Sequence, residues 1–432
     1  MTDADSAAWA GVLTQVIDDA HFATAEQLSA LVDTAVGGIG LSAEVLLADL
    51  AERVLTPIQP EPAKQVDVLS TMAGRAYQHG EILAGSDEHG GRVLWVPLLD
   101  GTERVGVLRV GLDTADPPVE DSAALRRRLW TLAGLMGHVV MAKLVYSDQL
   151  RRWRSNGPLS LQSELLWQLL PPRTFATDRV VVSALLQPYH QVAGDAYDYT
   201  VEGDLVELAV FDAVGHDTRA AVTTALAITA IRNARRSGEH DLVAIAAWAD
   251  DFVAAQPDPL QFATAVLARF DTATGVLHYL LAGHPPPLLI RQGKIVKRLA
   301  PPPRPPLGVK PPGVTSLGTT SAAAGGMVAR EQLEPGDRLL LYSDGITEAR
   351  DARGAFFGEQ RLIELTEHAA AAELSAPETL RRLGIAVMDH QNGKLQDDAT
   401  LLLVDWFTGR HLRMFPTPIA TAVSPRSAPG TT

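Results

Sequence analysis

Four aspartates in this chain sit at the edges of short apolar runs, and together they suggest chemistry. Residues 339–348 read LLLYSDGITE, an apolar run long enough for one buried strand, stopped by Ser343-Asp344-Gly345, which presents a carboxylate at a rigid strand end. Residues 208–216 repeat the plan and deliver Asp212 into a glycine-containing turn; Asp195 follows Gly194, and Asp397-Asp398 stands directly before the apolar run 399–404. A single Asp-Gly is ordinary turn chemistry, its carboxylate bonding nearby backbone N–H groups. Acids at four separated strand ends are enough for hard divalent cations, and an all-oxygen donor set suits magnesium or manganese rather than zinc. A pair of such ions lowers the pKa of a bound water and clamps the oxygens of a phosphoryl group in line. The pattern points to metal-assisted phosphate hydrolysis.

Composition bounds the setting. The 432 residues exceed one ordinary core and suffice for two domains. A net charge of −14 argues against nucleic acid and against an anionic membrane surface as partners. Cysteine is absent, which excludes disulfides, thiol nucleophiles and cysteine zinc sites. The acidic start MTDAD lacks the basic and apolar regions of a signal peptide, and no apolar stretch is long enough to span a bilayer, so the expected location is the cytoplasm.

In chain order, residues 18–36 read as one helix ended by Gly37-Gly38, followed by strands over 43–47 and 53–58. Runs 92–99 and 105–110 flank Asp100-Gly101, a hairpin signal. A helix then starts at a cap in Asp121-Ser122 and is expected to reach about Arg154, where Asn156-Gly157-Pro158 interrupts it. Its seam of Leu125, Leu129, Leu132, Met136, Val139 and Lys143 is a packing face or a short coiled coil, and suggests a homodimer. A leucine-rich helix over 161–170, ended by Pro171-Pro172, needs a partner surface and reads as a lever between domains.

Beyond it, strand-like runs at 179–186, 205–211, 262–270, 276–281, 287–290, 338–342 and 400–404 are joined in part by tight turns, which predicts antiparallel pairing. Helices are expected in pairs, at 218–236 with 241–254 and at 359–371 with 376–392. The expected class is α+β, two packed sheets covered by helices. The stretch 301–312 is stiff with proline, and its Arg304 reads as solvated rather than phosphate-binding; 414–432 reads as a disordered tail.

The segments AGDAYDY (193–199), FDAVGH (211–216), AGHPPPLL (282–289), PPLGV (305–309), PGDRLLLYSDGITEARD (335–351), FGEQRL (357–362) and DDATLLLV (397–404) appear in order, and over 161–406 the chain resembles the PP2C-type phosphatases of the SpoIIE and RsbU kind. The resemblance implies an α-β-β-α sandwich of two mainly antiparallel sheets. It also implies two Mn2+ or Mg2+ ions held by Asp195 and Asp212, completed by Asp344 and Asp397, with the carbonyl of Ala213 as a further ligand. Asp398 is the acid least expected to take part, since alternation turns it away from Asp397. The implied substrate is a phosphorylated anti-anti-sigma (STAS) protein.

The order of elements in the N-terminal part, with Val96-Pro97-Leu98 and the strand at Gly106-Val107-Leu108, resembles a GAF domain, which implies a sensory module able to take a small molecule or to mediate dimerisation. His21, His79, His89 and His138 are scattered and read as surface or packed residues, and without cysteine a covalently attached bilin is excluded. The expected organisation is a GAF-like domain at 1–145, a helical linker at 146–172, a PP2C-like domain at 173–408 and a tail at 409–432. Two positions depart from the pattern: Asp217 stands where the family has glycine and reads as a helix cap, and Leu281 replaces an asparagine. His216 and His284 are candidates for a proton donor, with a turn-stabilising hydrogen bond the favoured reading of each. A pseudophosphatase scaffold, a metal-dependent nucleotide cyclase and a ligand-controlled binding module are the competing readings.

Overall fold

A computed structural model of the chain describes residues 3–59, 64–87, 89–155, 160–187, 194–215, 217–258, 260–302, 304–309, 328–393 and 395–407. Val192-Ala193, His216, the interruption at 156–158, Pro303 and residues 310–312 of the proline-rich stretch, and the tail at 409–432 lie outside the described residues. Contacts divide the chain into two compact units, with described residues up to 155 in the first and 160–407 in the second.

The first unit runs α1 (Asp3–Ala20), α2 (Leu28–Gly37), β1 (Ser42–Ala48), β2 (Val54–Pro57), β3 (Val66–Asp67), α3 (Met72–His79), β4 (Leu83–Ser86), β5 (Arg92–Asp100), β6 (Glu103–Gly111), α4 (Ala123–Leu144) and α5 (Asp148–Arg154). Its antiparallel sheet has the order β3-β2-β1-β6-β5-β4. The expected hairpin is β5–β6, and Ser122 caps α4 by accepting from the Leu125 N–H at 3.1 Å.

Two helix expectations are corrected. The helix read over 18–36 is two, because the Gln27 side chain accepts from the Thr24 N–H at 2.8 Å and starts a new turn between them. The helix read as reaching Arg154 stops at Leu144 and resumes at 113°, where the Ser147 hydroxyl accepts from the Leu150 N–H and Arg151 donates to the Leu144 carbonyl. The α4 seam is also used up internally. Leu125, Leu129, Leu132 and Met136 are buried in the unit's own core with Leu94, Val96 and Leu98 of β5, and Gly137 lets α4 approach so closely that a Cβ there would lie 1.9 Å from the Leu99 carbonyl oxygen. The seam therefore supplies no coiled-coil face for a dimer.

The second unit runs α6 (Leu161–Leu169), β7 (Thr174–Ala176), β8 (Val180–Gln187), β9 (Asp195–Glu202), β10 (Leu205–Ala213), α7 (Thr218–Arg236), α8 (Leu242–Ala254), β11 (Ala263–Asp271), β12 (Val276–Ala282), β13 (Leu288–Arg291), β14 (Lys294–Arg298), β15 (Ala329–Gln332), β16 (Arg338–Tyr342), α9 (Asp344–Thr347), α10 (Glu359–Ala371), α11 (Ala376–His390) and β17 (Ala399–Trp406). Two antiparallel sheets, β15-β12-β11-β10-β9 and β14-β13-β16-β17-β8-β7, lie face to face. α7 and α8 cover the first, while α10 and α11 pack on the second, giving the expected α-β-β-α sandwich.

Alternation explains the layering. Along β10, Val206, Leu208 and Val210 enter the core between the sheets, whereas Ala209 and Phe211 pack against α7 and α8. Tyr197 and Tyr199 of β9 face the inter-sheet core, and their hydroxyls donate to the carbonyls of Pro171 and Pro172 at 3.1 and 2.6 Å, fixing the chain after α6. On α6, Leu166 is buried with Ala221 of α7, while Leu161 is 75% exposed. Arg304 is neither solvated nor free for phosphate: it is buried and paired with Asp250 at 2.5 Å. Pairing offsets part of the penalty of enclosing its charge, and burial still raises the Asp250 carboxyl.

Candidate metal centre

Topology brings the acids to one end of the sandwich. Asp195 opens β9 and Asp212 nearly closes β10, and the two are direct partners in the antiparallel register, so their side chains share one face. The same face carries Tyr197, Leu208 and Val210 into the inter-sheet core. In the other sheet β16 ends at Tyr342, which pairs with Leu401 near the start of β17; Asp344 follows the one strand and Asp397-Asp398 precede the other.

Local chemistry holds these ends together. The Ser343 N–H donates to the Thr400 carbonyl at 3.0 Å, and the Thr400 N–H donates to the Ser343 hydroxyl at 3.0 Å. Ser343-Asp344-Gly345 is not a simple turn: α9 begins at Asp344, and Ser343 precedes it with its hydroxyl committed to Thr400 rather than to the helix. Gly345 is required by close approach, since a Cβ there would lie 1.8 Å from the Asp398 carbonyl oxygen. Gly194 likewise leaves room for the carbonyls of Ala213 and Gly215, which a Cβ would meet at 3.0 and 2.8 Å. Gly215 turns the chain with φ of 88°, and Asp217 caps α7 as expected, accepting from the N–H groups of Arg219 and Ala220.

The electrostatics are those of crowded carboxylates. Burial first, then the facing Asp212, pushes the Asp195 carboxyl well up. Burial, followed by Asp344 and Asp397, pushes Asp212 up to about 8. Burial and then Glu348 raise Asp344, and a hydrogen bond between Asp212 and Asp344 favours the proton on Asp212. Two ionised carboxylates 4 Å apart repel by about 4 kcal/mol at an effective dielectric of 20, more than one hydrogen bond returns.

Among the described residues, Asp195, Asp212 and Asp344 make no ion pair with Lys or Arg, and the buried Oδ2 of Asp195 has no hydrogen bond of good geometry, although the Ser343 and Thr400 hydroxyls stand near enough to ease its charge slightly. Among those residues, no group of three or more His, Asp or Glu side chains is gathered closely enough to hold a metal ion as they stand. An orphaned buried oxygen, like charges and an all-oxygen donor set together fit divalent cations.

Two residues gain partners that the sequence did not name. Asp398 is turned away from Asp397 by alternation, but inward: it is buried and its Oδ2 accepts from the N–H groups of Gly194 at 2.5 Å and Asp195 at 3.4 Å, while Asp397 is exposed. The Asp-Asp doublet was the available signal for one acid at the surface and one anchoring backbone. His284 is buried, with Nε2 donating to the Tyr342 carbonyl at 3.1 Å and Nδ1 accepting from the Thr264 hydroxyl at 2.7 Å. Burial pushes it down to about 4, so it is a neutral brace for the end of β16 and not a proton donor. Leu281 is part of the inter-sheet core.

Residues 202–407 match the family described as Stage II sporulation protein E (SpoIIE). These residues are a SpoIIE-family domain. Asp212, Asp344, Asp397 and Asp398 fall inside the match, and Asp195 lies just before it. Protein IcfG of Synechocystis is 23% identical over 275 residues, covering 57% of this chain and 39% of that protein. Phosphoserine phosphatase RsbU of Bacillus subtilis is 25% identical over 225 residues, covering 52% of this chain and 62% of RsbU. The chain thus spans about two fifths and three fifths of the lengths of these curated relatives. Among solved structures, the SiaA PP2C domain of Pseudomonas aeruginosa aligns at 22% identity and a TM-score of 0.44, covering 52% of this chain and 85% of that one. No single described helix is long and apolar enough to cross a membrane.

Proposed function

We propose that the chain is a divalent-cation-dependent protein serine/threonine phosphatase whose substrate is a phosphorylated anti-anti-sigma (STAS) protein in the cytoplasm. The observation that carries this reading is the convergence of strand-end acids whose repulsion is offset by no ion pair with Lys or Arg among the described residues, at the end of a sandwich whose residues 202–407 match the SpoIIE family.

In this reading Asp195, Asp212, Asp344 and Asp397, with the carbonyl of Ala213, hold two Mn2+ or Mg2+ ions. When bound, such cations supply a water acidic enough to attack at neutral pH and a clamp on the phosphoryl oxygens. The chain's own residues set the geometry. Asp398 fixes the backbone of Gly194 and Asp195, His284 braces the Tyr342 carbonyl two residues before Asp344, and Ser343 ties that end to Thr400. The first unit serves as a GAF-like sensor at 1–145 with a small-molecule ligand, coupled through a helical linker at 146–172 to the phosphatase at 173–408, with a tail at 409–432.

The test is release of inorganic phosphate from a phosphorylated STAS protein by the full chain. Release that needs Mn2+ and is lost in Asp344→Ala supports the reading; release that persists in EDTA or in that variant would sink it.

A further inference from the structure

The outer face of β9 and β10 carries a second concentration of charge that the acid centre does not use. Tyr197 and Tyr199 point into the inter-sheet core with Asp195, so Asp198 lies on the opposite face of β9. There a cavity of about 450 Å3, within the usual range for small-molecule sites, is bounded by the ends of α6 and α7 and by the turn-proximal parts of β9 and β10. Arg232, Arg235, Arg236 and Arg269 line it, against the carboxylates of Asp198, Glu202 and Glu207. The balance is one positive charge, on a chain whose net charge is −14.

Part of this charge is structural. Asp198, 1% exposed, receives Arg232 at 2.6 Å and Arg235 at 2.5 Å, and Glu207 receives Arg235 at 3.2 Å and Arg269 at 3.0 Å. Donors nevertheless exceed acceptors, because each guanidinium carries five N–H groups. The Nε–H of Arg269 is buried without an acceptor, and Arg236 is exposed with no ion-pair partner among the described residues.

We propose that this cavity binds the phosphate or pyrophosphate group of a small molecule. Arg235, Arg236 and Arg269 hold the oxyanion, since planar guanidinium groups match phosphate oxygens in paired hydrogen bonds. Leu169, Leu170 and Leu205 offer apolar wall to the rest of the ligand. The site is connected to α6, because Arg232 donates to the Leu169 carbonyl at 2.6 Å as well as to Asp198.

The test is calorimetric titration of the full chain with inorganic pyrophosphate at low salt in EDTA, which keeps the acid centre free of cations that would attract the anion. One saturable site is expected, weakened about tenfold or more in Arg236→Gln and in Arg269→Gln and unchanged in Asp344→Asn. Arg236 is exposed and makes no ion pair among the described residues, so its substitution leaves the fold intact. Amide exchange across α6 is expected to change on adding pyrophosphate to the wild type and not to Arg236→Gln. No saturable binding, binding by both arginine variants equal to that of the wild type, or binding lost in Asp344→Asn would overturn the site; binding with α6 exchange unaltered would overturn its link to that helix. Turnover plays no part in these readouts, so their failure is distinct from failure of the phosphatase reading.

Discussion

The two ends of the C-terminal sandwich are made from the same strands and differ in what closes them. Near one end, Phe270 of β11 and Trp406 of β17 meet edge to face at 5.1 Å, and the indole N–H donates to the Thr272 carbonyl at 3.2 Å. Near the other, the strands finish in Asp195, Asp212, Asp344 and Asp397-Asp398, a crowd of charge that raises the proton affinity of the first three. The aromatic end gains by burial and ring geometry as it closes. The acid end resists closure unless protons or cations neutralise it, and strain of that kind belongs at a working site held by stability stored elsewhere.

Substitutions at the two ends should therefore differ in kind. Trp406→Ala at the aromatic end is expected to lower unfolding free energy by about 3–5 kcal/mol, checked by urea denaturation, with activity per folded molecule retained. Asp344→Ala should do the reverse, reducing Mn2+-dependent phosphate release by about 100-fold or more while leaving the melting temperature in EDTA unchanged or raised. An activity loss in Trp406→Ala matching that of Asp344→Ala would erase the distinction. Asp398→Asn keeps an acceptor for Gly194 but removes a charge, so about a tenfold loss of activity or metal affinity is expected from steady-state assays. His284→Gln should cost about 1 kcal/mol of stability and leave the shape of the pH–rate profile unchanged, because a neutral buried imidazole moves no proton.

Much of this contrast was readable from residues. Asp212 adjoins an apolar run and Asp344 and Asp397 each stand one residue from theirs, and β10, β16 and β17 are buried on both faces, which makes their strands plain in the sequence. β9 was missed as a strand because DAYDYTVE mixes charge with aromatics: one face enters the inter-sheet core and the other meets Arg232 and Arg235, 34 and 37 residues after Asp198. What Asp398 and His284 hold was not legible, since their partners, Gly194 and Tyr342, are 204 and 58 residues away. The break after α4 turned on one serine cap, and Arg304 on a carboxylate in α8, contacts that periodicity cannot reveal.

The central claim, that the acid end needs cations, is tested most directly by thermal melting of the wild type and Asp212→Asn at pH 5 and pH 8, in EDTA and in Mn2+. The folded pKa of Asp212 is raised from 3.8 to about 8, so the folded state holds a proton that the unfolded chain has released. Its contribution is fully present below the unfolded value and is lost as pH rises through the folded one. The account predicts that in EDTA the wild type loses stability relative to Asp212→Asn between pH 5 and pH 8, and that Mn2+ restores the wild type at pH 8 but not the variant. A constant difference between the two proteins across pH, with no Mn2+ effect on the wild type, would contradict it.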